Sequence, residues 1–252
     1  MTQSVSDLQE SFKQLKLGET AQQLPILLRQ AEQDNLTYLE FLTELVRYEQ
    51  TQRDAKRVER YMKWAQFPYH KRLSQFDIQA QQSLSQRQLK QLGELTWIDD
   101  QFNLILLGPP GVGKTALSVG LGIEAIEQGY RVMFVTMGQL MTYLKTEEFT
   151  RKSQIQLNRI RQADLVIVDD LMYMAMETYE ANLFFQLISQ LYEHSSLIIS
   201  SNKAPDHWGE LIGDPGITTA ILDRILHRVE VINLNGDSYR MKNNQKIFSA
   251  ET

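Results

Sequence analysis

The spacing of apolar residues divides the chain into two parts. Up to residue 66, apolar side chains recur every three or four positions, which is typical of amphipathic helices. This pattern predicts helices over 8–17, 21–35, 38–48 and 49–66. Thr37 is a candidate N-cap for the third helix, because Glu40 follows three residues later and can complete a capping box. The first part of the chain is therefore predicted to be all-helical.

From Leu95 onward, short apolar runs alternate with helical segments. Such alternation indicates an α/β fold in which a parallel sheet is covered by helices on both faces. Phe67-Pro68 ends the helical part and a Gln/Ser-rich stretch follows. We therefore predict a helical domain over 1–68, a linker over 69–94 and an α/β domain over 95–252. The predicted strands are 103–107, 131–135, 165–168, 197–200 and 229–234, and the predicted helices are 114–127 (with Gly129 as C-cap), 139–144, 150–162, 178–193 and 218–227.

Composition narrows the class of protein. The apolar fraction of 42% is ordinary for a folded chain, and the absence of cysteine excludes disulfides and cysteine chemistry. The sequence shows neither a leader nor an apolar run near the roughly 20 residues that span a bilayer. We therefore expect a cytoplasmic protein with no membrane partner. The net charge of −5 argues against a uniformly basic nucleic-acid binder, but residues 47–72 contain eight Lys/Arg against three acids.

The segment 108–115 carries the strongest chemical signal. It reads Gly-Pro-Pro-Gly-Val-Gly-Lys-Thr, which fits the phosphate-loop pattern G-x-x-x-x-G-K-[ST] between a predicted strand and a predicted helix. The glycines let backbone N–H groups wrap a triphosphate, and the helix dipole favours the same anion. Lys114 can reach the β and γ phosphates, and the Thr115 hydroxyl can join the shell of a Mg²⁺ ion. A chance glycine-rich turn is the alternative. The predicted nucleotide-contacting residues are Gly108, Pro109, Pro110, Gly111, Val112, Gly113, Lys114, Thr115 and Ala116.

Polar residues at the predicted strand ends are candidates for the catalytic groups. The carboxyl ends of parallel strands face the ligand crevice. Asp169 is expected to hold Mg²⁺, Asp170 to orient or deprotonate the attacking water, and Asn202 to bond the γ-phosphate or that water. Alternatively, the two acids are simply solvated at the end of the strand, and the asparagine only forms a turn. Either Arg224 or Arg228 can reach the γ-phosphate of a neighbouring subunit, unless both are surface arginines paired with nearby acids.

Basic residues at helical spacing are candidates for DNA contacts. Five of them recur every three or four positions in the predicted helix 49–66 and share one face, which suits a phosphate backbone and predicts weak sequence preference. A solvated helix face with salt bridges is the alternative. Trp64, Phe67 and Tyr69 can stack on bases or pack in the core. The candidate DNA contacts are Arg53, Lys56, Arg57, Arg60 and Lys63, with Lys145, Arg151 and Lys152 as a second group.

Taken in order, these motifs resemble the AAA+ ATPases, and more narrowly the IstB-type transposition helpers and the related DnaC-type helicase loaders. The resemblance runs from about residue 8 to residue 242. Its phosphate loop is widely shared, whereas the flanking segments are more specific. They are Glu49-x-x-x-Arg53-x-x-x-Arg57, Ala65-x-Phe67-Pro68, Phe76-Asp77, Ser200-Ser-Asn202, Trp208, Asp214, residues 220–227 and Gly236-Asp-Ser-Tyr-Arg240.

The resemblance implies a AAA+ P-loop NTPase core with ATP and Mg²⁺ at subunit interfaces of a homo-oligomer. Asn202 is then a sensor, and Arg224 is a finger that acts on a neighbouring subunit. It also implies assembly on double-stranded DNA and delivery of that target to a partner transposase. Two features depart from common AAA+ patterns. Asp170 stands where a glutamate is usual, and because its shorter side chain holds the water less well, we expect slow ATPase activity. We expect DNA or transposase to stimulate it. Too few residues follow Leu234 for a C-terminal lid domain. IstB-like and DnaC-like proteins also lack that lid, and Arg240 is then structural.

Two other functions compete with a transposition helper. A DnaC-like replicative helicase loader would bind a helicase and single-stranded DNA. A metabolic nucleotide kinase would share the phosphate loop, but it needs an acceptor site and lid arginines that the sequence does not show. We therefore expect the transposition helper.

Overall fold

The computed structural model describes residues 4–78, 83–171 and 176–236. They divide into two compact units after Arg60, eight residues before the boundary expected at residue 68. The first unit is helical, as predicted. Its small core contains Ala21, Leu24 and Leu45, all of them buried. Its helices are α1 (Val5–Gln14), α2 (Gly18–Gln33) and α3 (Tyr38–Ala65), the last of which continues into the second unit.

Helix α3 differs from the prediction of two helices over 38–48 and 49–66. It is one helix of 28 residues. No glycine or proline interrupts it, and Glu49, at the predicted break, is buried in hydrogen bonds from the Thr20 backbone and hydroxyl at 2.8 and 2.9 Å. The predicted start is confirmed, because the Thr37 backbone N–H and hydroxyl both donate to the Glu40 carboxylate, at 2.8 and 2.7 Å.

The second unit alternates helices and strands. The predicted strands and helices of this part are all present, with ends shifted by a few residues. The largest shift is at the last helix, which begins at Pro215 rather than residue 218, because Asp214 caps it and proline occupies its first turn. The elements are α4 (Gln86–Gly93), α5 (Thr96–Asp99), β1 (Asn103–Leu107), α6 (Lys114–Gln128), β2 (Val132–Thr136), α7 (Met137–Lys145), α8 (Arg151–Gln162), β3 (Leu165–Asp169), α9 (Thr178–Leu191), β4 (Ser196–Ser201), α10 (Gly209–Ile212), α11 (Pro215–Leu226) and β5 (Val229–Asn233).

Among the described residues, the five strands form one parallel sheet in the order β2-β3-β4-β1-β5. The register pairs Thr136 with Asp169 and aligns Leu107 with both Ser201 and Asn233. The carboxyl ends of all five strands therefore meet at one edge, where a parallel sheet places its ligands. The predicted five-stranded parallel sheet is confirmed.

Part of the segment 69–94, which was expected to be a linker, packs against α6. Leu73 lies in a short 3₁₀ helix and is buried, and a Cβ built on Gly120 of α6 would lie only 3.0 Å from the Leu73 Cα. Phe67 packs edge-on against Phe134 at 6.3 Å, and its ring would lie 2.8 Å from a Cβ on Gly122. This contact favours core packing over base stacking for Phe67.

Residues 79–82 and 237–252 lie outside the described residues. Arg240 is among them, and so is most of the segment after Leu234, from which the absence of a lid domain was expected.

Candidate nucleotide-binding site

The phosphate loop joins the end of β1 to the start of α6. Three glycines in it have a positive φ, and that of Gly108 is +149°. A Cβ on Gly108 would lie 2.2 Å from the carbonyl oxygen of Leu234, which follows β5. Because a side chain cannot occupy that space, the loop depends on glycine at this position. The loop places the N-terminus of α6 and its N–H groups at the carboxyl edge of the sheet.

Lys114 lies over this loop and is nearly buried, with 8% of its surface exposed. Its Nζ donates hydrogen bonds to the carbonyl oxygens of Gly108 at 2.7 Å and Pro109 at 3.0 Å. The ammonium group is therefore held within the curl of the loop, on the side where the sequence predicts the β and γ phosphates to bind.

Asp169 connects the loop to the centre of the sheet. The Thr115 hydroxyl donates to Asp169 Oδ2 at 2.9 Å, and the Ser200 hydroxyl donates to Asp169 Oδ1. Asp169 is 4% exposed, and this burial raises the pKa of its carboxyl above the usual range, although the two hydroxyl donors and nearby Lys114 lower it and the charge of Asp170 raises it further. Thr115 and Asp169, the two residues that the sequence predicts as Mg²⁺ ligands, are therefore in direct contact, and their binding of a metal stays a prediction.

These two residues fit a magnesium ion. Mg²⁺ prefers oxygen ligands in an octahedral arrangement at 2.0–2.1 Å, for which neighbouring ligands lie about 2.9 Å apart. Thr115 Oγ1 and Asp169 Oδ2 show this separation. Among the described residues, Thr115 Oγ1 and Asp169 Oδ2 are the oxygens that would bind the ion, and phosphate oxygens and water would complete the shell, as is usual for Mg²⁺.

Asp170 and Asn202 lie at the same edge as Asp169, and both are exposed. Asp170 has φ +55°, a conformation that non-glycine residues seldom adopt, and its backbone N–H donates to the Ser200 hydroxyl at 2.9 Å. Asn202 follows β4 directly, between the strand that ends in Asp169 and the strand that leads into the phosphate loop. Both side chains are thus available to a ligand bound on the loop.

Arg224 and Arg228 lie near the opposite edge of the sheet. The carbonyl oxygen of Arg228 accepts a hydrogen bond from the N–H of Asn103, the first residue of β1. A five-residue strand is about 16 Å long, so both arginines are remote from the phosphate loop of the same chain. The Arg224 guanidinium packs over the Phe185 ring at 4.7 Å and donates to the Ala220 carbonyl, and Arg228 donates to the Asp100 carbonyl.

Several of the predicted DNA-contacting residues have partners within the first unit. Arg53 bonds to the buried Glu49 carboxylate at 2.8 Å and to the Lys16 carbonyl. Lys56 pairs with Glu19, and Arg57 pairs with Asp54 at 3.2 Å. Arg60 and Lys63 are exposed, and their positions on the continuous helix agree with the predicted spacing. In the second group, Lys145 pairs with Glu180 at 2.7 Å, whereas Arg151 and Lys152 are exposed in the first turn of α8.

Ser200 contributes to the site, although the sequence alone does not predict this. Its hydroxyl joins the Asp169 carboxylate to the Asp170 backbone. In the sequence, Ser200 is a serine near the end of an apolar strand. That signal is weak, because only the strand order shows that this strand lies beside the one that carries the acids.

A phosphate loop after β1, an acidic pair at the end of β3 and the strand order β2-β3-β4-β1-β5 define the class, which is the AAA+ type of P-loop ATPase. Solved structures agree on the fold. DnaI superposes with a TM-score of 0.54 and 19% identity over 68% of this chain and 90% of that one. AMPPCP-bound DnaA from Aquifex aeolicus superposes with a TM-score of 0.51 and 19% identity over 68% of this chain and 52% of that one.

The chain belongs to the IstB-like ATP binding protein family, which matches residues 10–247. An ATP-binding protein of insertion sequence IS21 from Pseudomonas aeruginosa is 37% identical over 240 residues, which cover 95% of this chain and 91% of that protein. An IS21-like ATP-binding protein from Bacteroides fragilis is 36% identical over 249 residues, which cover 99% and 95%. The resemblance identified from the sequence is confirmed. Within the described residues, no helix combines the length and the apolar character needed to cross a membrane.

Proposed function

We propose that this chain is the ATP-dependent DNA-binding helper of an IS21-type insertion sequence. It binds ATP with Mg²⁺, oligomerises on double-stranded target DNA, hydrolyses ATP slowly and presents the target to a partner transposase. Two observations support the proposal: membership of the IstB-like ATP binding protein family, and relatives that are ATP-binding proteins of insertion sequences. A cytoplasmic location follows from this role.

The residues at the carboxyl edge account for the proposed ATPase chemistry. Lys114 and the N–H groups of α6 bind the phosphates, and Thr115 with Asp169 holds Mg²⁺, which neutralises charge on the phosphate oxygens. Asp170 orients the attacking water and takes its proton. The water oxygen then bonds to the γ-phosphorus while the bond to the β–γ bridging oxygen breaks, which yields ADP and phosphate. Asn202 senses the γ-phosphate or positions the same water.

The single observation that carries the oligomeric part of this proposal is the distance between the arginines and the loop. Arg224 lies near the amino edge of the sheet, about one strand length from its own phosphate loop. A finger arginine must approach the γ-phosphate closely. Arg224, or Arg228 in its place, therefore acts on the ATP of the next subunit, which makes the interface head-to-tail and suits a ring or a filament.

The basic face of α3 supplies the proposed contact with duplex DNA. Phosphate contacts position a protein on DNA without reading its sequence, so weak sequence preference follows. Arg57, Arg60 and Lys63 share this role with Arg53 and Lys56, which also hold the first unit together through Glu49 and Glu19. Arg151 and Lys152 on α8 form the second group of DNA contacts. Lys145 contacts the DNA only if its ion pair with Glu180 breaks.

Imaging the protein on a long duplex, with and without ATP, tests the proposal. The parent is expected to form nucleotide-dependent assemblies on double-stranded DNA, and Lys114→Ala is expected to abolish them because the phosphates lose their cation. Lys90→Ala removes an exposed lysine from α4 and serves as the matched control. Equal binding of duplex by a nucleotide-free monomer would refute the proposal, and assembly confined to single strands would favour the helicase-loader alternative.

A further inference from the structure

The Ser200 hydroxyl sits between the two acids of the site. Ser200 lies on β4 and is fully buried. Its hydroxyl donates to Asp169 Oδ1 and accepts the hydrogen bond of the Asp170 N–H at 2.9 Å. The hydroxyl thus both donates to the last residue of β3 and accepts from the residue that follows it.

The sheet itself changes at this point. The ladder between β3 and β4 runs from Leu165 paired with Ser196 to Val168 paired with Ile199, and it ends there. Beyond it, the Ser200 hydroxyl bonds the Asp169 carboxylate and the Asp170 backbone N–H instead. This replacement coincides with the turn of Asp170 to φ +55°, which directs the chain out of the strand. The hydroxyl thus bonds the Asp170 N–H at the point where the chain leaves the strand.

We propose that Ser200 is a positioning residue that holds Asp169 towards the Thr115 magnesium site and turns Asp170 towards the attacking water. This proposal rests on the ATPase function proposed above. Residues that orient the ligands of a metal set both its affinity and its activity, and their loss usually costs 10–100-fold in one or both. Because Ser200 lies on β4, which Asn202 follows directly, its hydroxyl also connects the strand that precedes Asn202 to the acidic pair.

Ser200→Ala tests this role, with Ser196→Ala as the matched control. Ser196 is a serine on the same strand, equally buried, but its hydroxyl faces the Ile98 carbonyl at the opposite edge of the sheet. For Ser200→Ala we expect turnover of MgATP to fall about 10–100-fold and Mg²⁺ affinity in the presence of ATP to weaken about tenfold. ATP affinity measured in EDTA should stay within about twofold, because the loop and Lys114 are untouched. Ser196→Ala should match the parent in all three measurements.

Turnover and Mg²⁺ affinity of Ser200→Ala within twofold of the parent would overturn the proposal, as would an equal loss in Ser196→Ala or an equal loss of affinity in EDTA. If the alanine variant does not fold, Ser200→Cys keeps the size of the side chain but donates weakly. Ser200→Cys should show the same losses of turnover and Mg²⁺ affinity as Ser200→Ala. Turnover and Mg²⁺ affinity equal to those of the parent would reject the positioning role. If the parent itself does not hydrolyse ATP, the proposed function fails, while the Mg²⁺ affinity measurement still decides whether Ser200 positions Asp169.

Discussion

Gly108→Ala is the substitution for which the structure gives the clearest expectation. Gly108 begins the phosphate loop with φ +149°, and its missing side chain leaves room for the Leu234 carbonyl oxygen. An alanine Cβ would lie 2.2 Å from that oxygen and 3.1 Å from Val112 Cγ2. The first distance is far below van der Waals contact. Either the loop or the chain after β5 must therefore move.

The magnitude follows from two costs. A non-glycine residue in this backbone region costs about 1–3 kcal/mol, and forcing a methyl group into a packed site costs about 1–3 kcal/mol more. The free energy of unfolding of the second unit should therefore fall by roughly 2–6 kcal/mol. For a unit of this size each kcal/mol corresponds to about 2–4 °C, so Tm should fall by at least about 4 °C.

Thermal unfolding followed by circular dichroism, together with titration of ATP, measures both consequences. ATP affinity should fall as well, because movement of the loop separates the N–H groups of α6 from the Lys114 ammonium. Gly18→Ala is the control: a Cβ there meets nothing within 4 Å, and Gly18 is the first residue of α2. A parent-like Tm and ATP affinity for Gly108→Ala would show that the loop does not need the space beside Leu234.

Three further predictions concern charge. Asp170→Ala should trap ATP-bound oligomers because the attacking water loses its base; turnover at the parent rate, measured by phosphate release, would reject that role. Since burial raises the pKa of Asp169 above its usual 3.8, the folded protein holds that proton more tightly than the unfolded chain. Urea melts without nucleotide or Mg²⁺ measure the free energy of unfolding of the parent and of Asp169→Asn. As pH rises from about 4 through the raised pKa, the parent should lose stability relative to the variant. A difference between the two that does not change with pH would contradict this. Replacing Arg57 and Arg60 by alanine should weaken all duplexes alike and reduce the slope of log K against log[salt] by about 2, whereas Arg29→Ala should not; a sequence-selective loss would exclude backbone contact.

The local features of the fold and of the phosphate loop could be predicted from the sequence. The strand–loop–helix context of residues 108–115, the Gly129 C-cap and the Thr37 capping box each depend on residues within one turn or loop, and each is present. The sequence did not predict that α3 continues through Glu49 without a break, because Glu49 is held by Thr20, which is 29 residues earlier in the chain. The start of α11 could have been found from Asp214-Pro215, a capping residue followed by a proline.

The sequence by itself determined the strand–helix alternation and the phosphate loop, since both follow from short-range spacing and from backbone freedom at glycine. Only the tertiary structure decided that β4 lies between β3 and β1, and with it that Ser200 reaches Asp169 from 31 residues away. It also decided that Arg224 lies far from its own phosphate loop. Strand order is set by how helices pack on both faces of the sheet, and this packing joins residues that no local pattern connects.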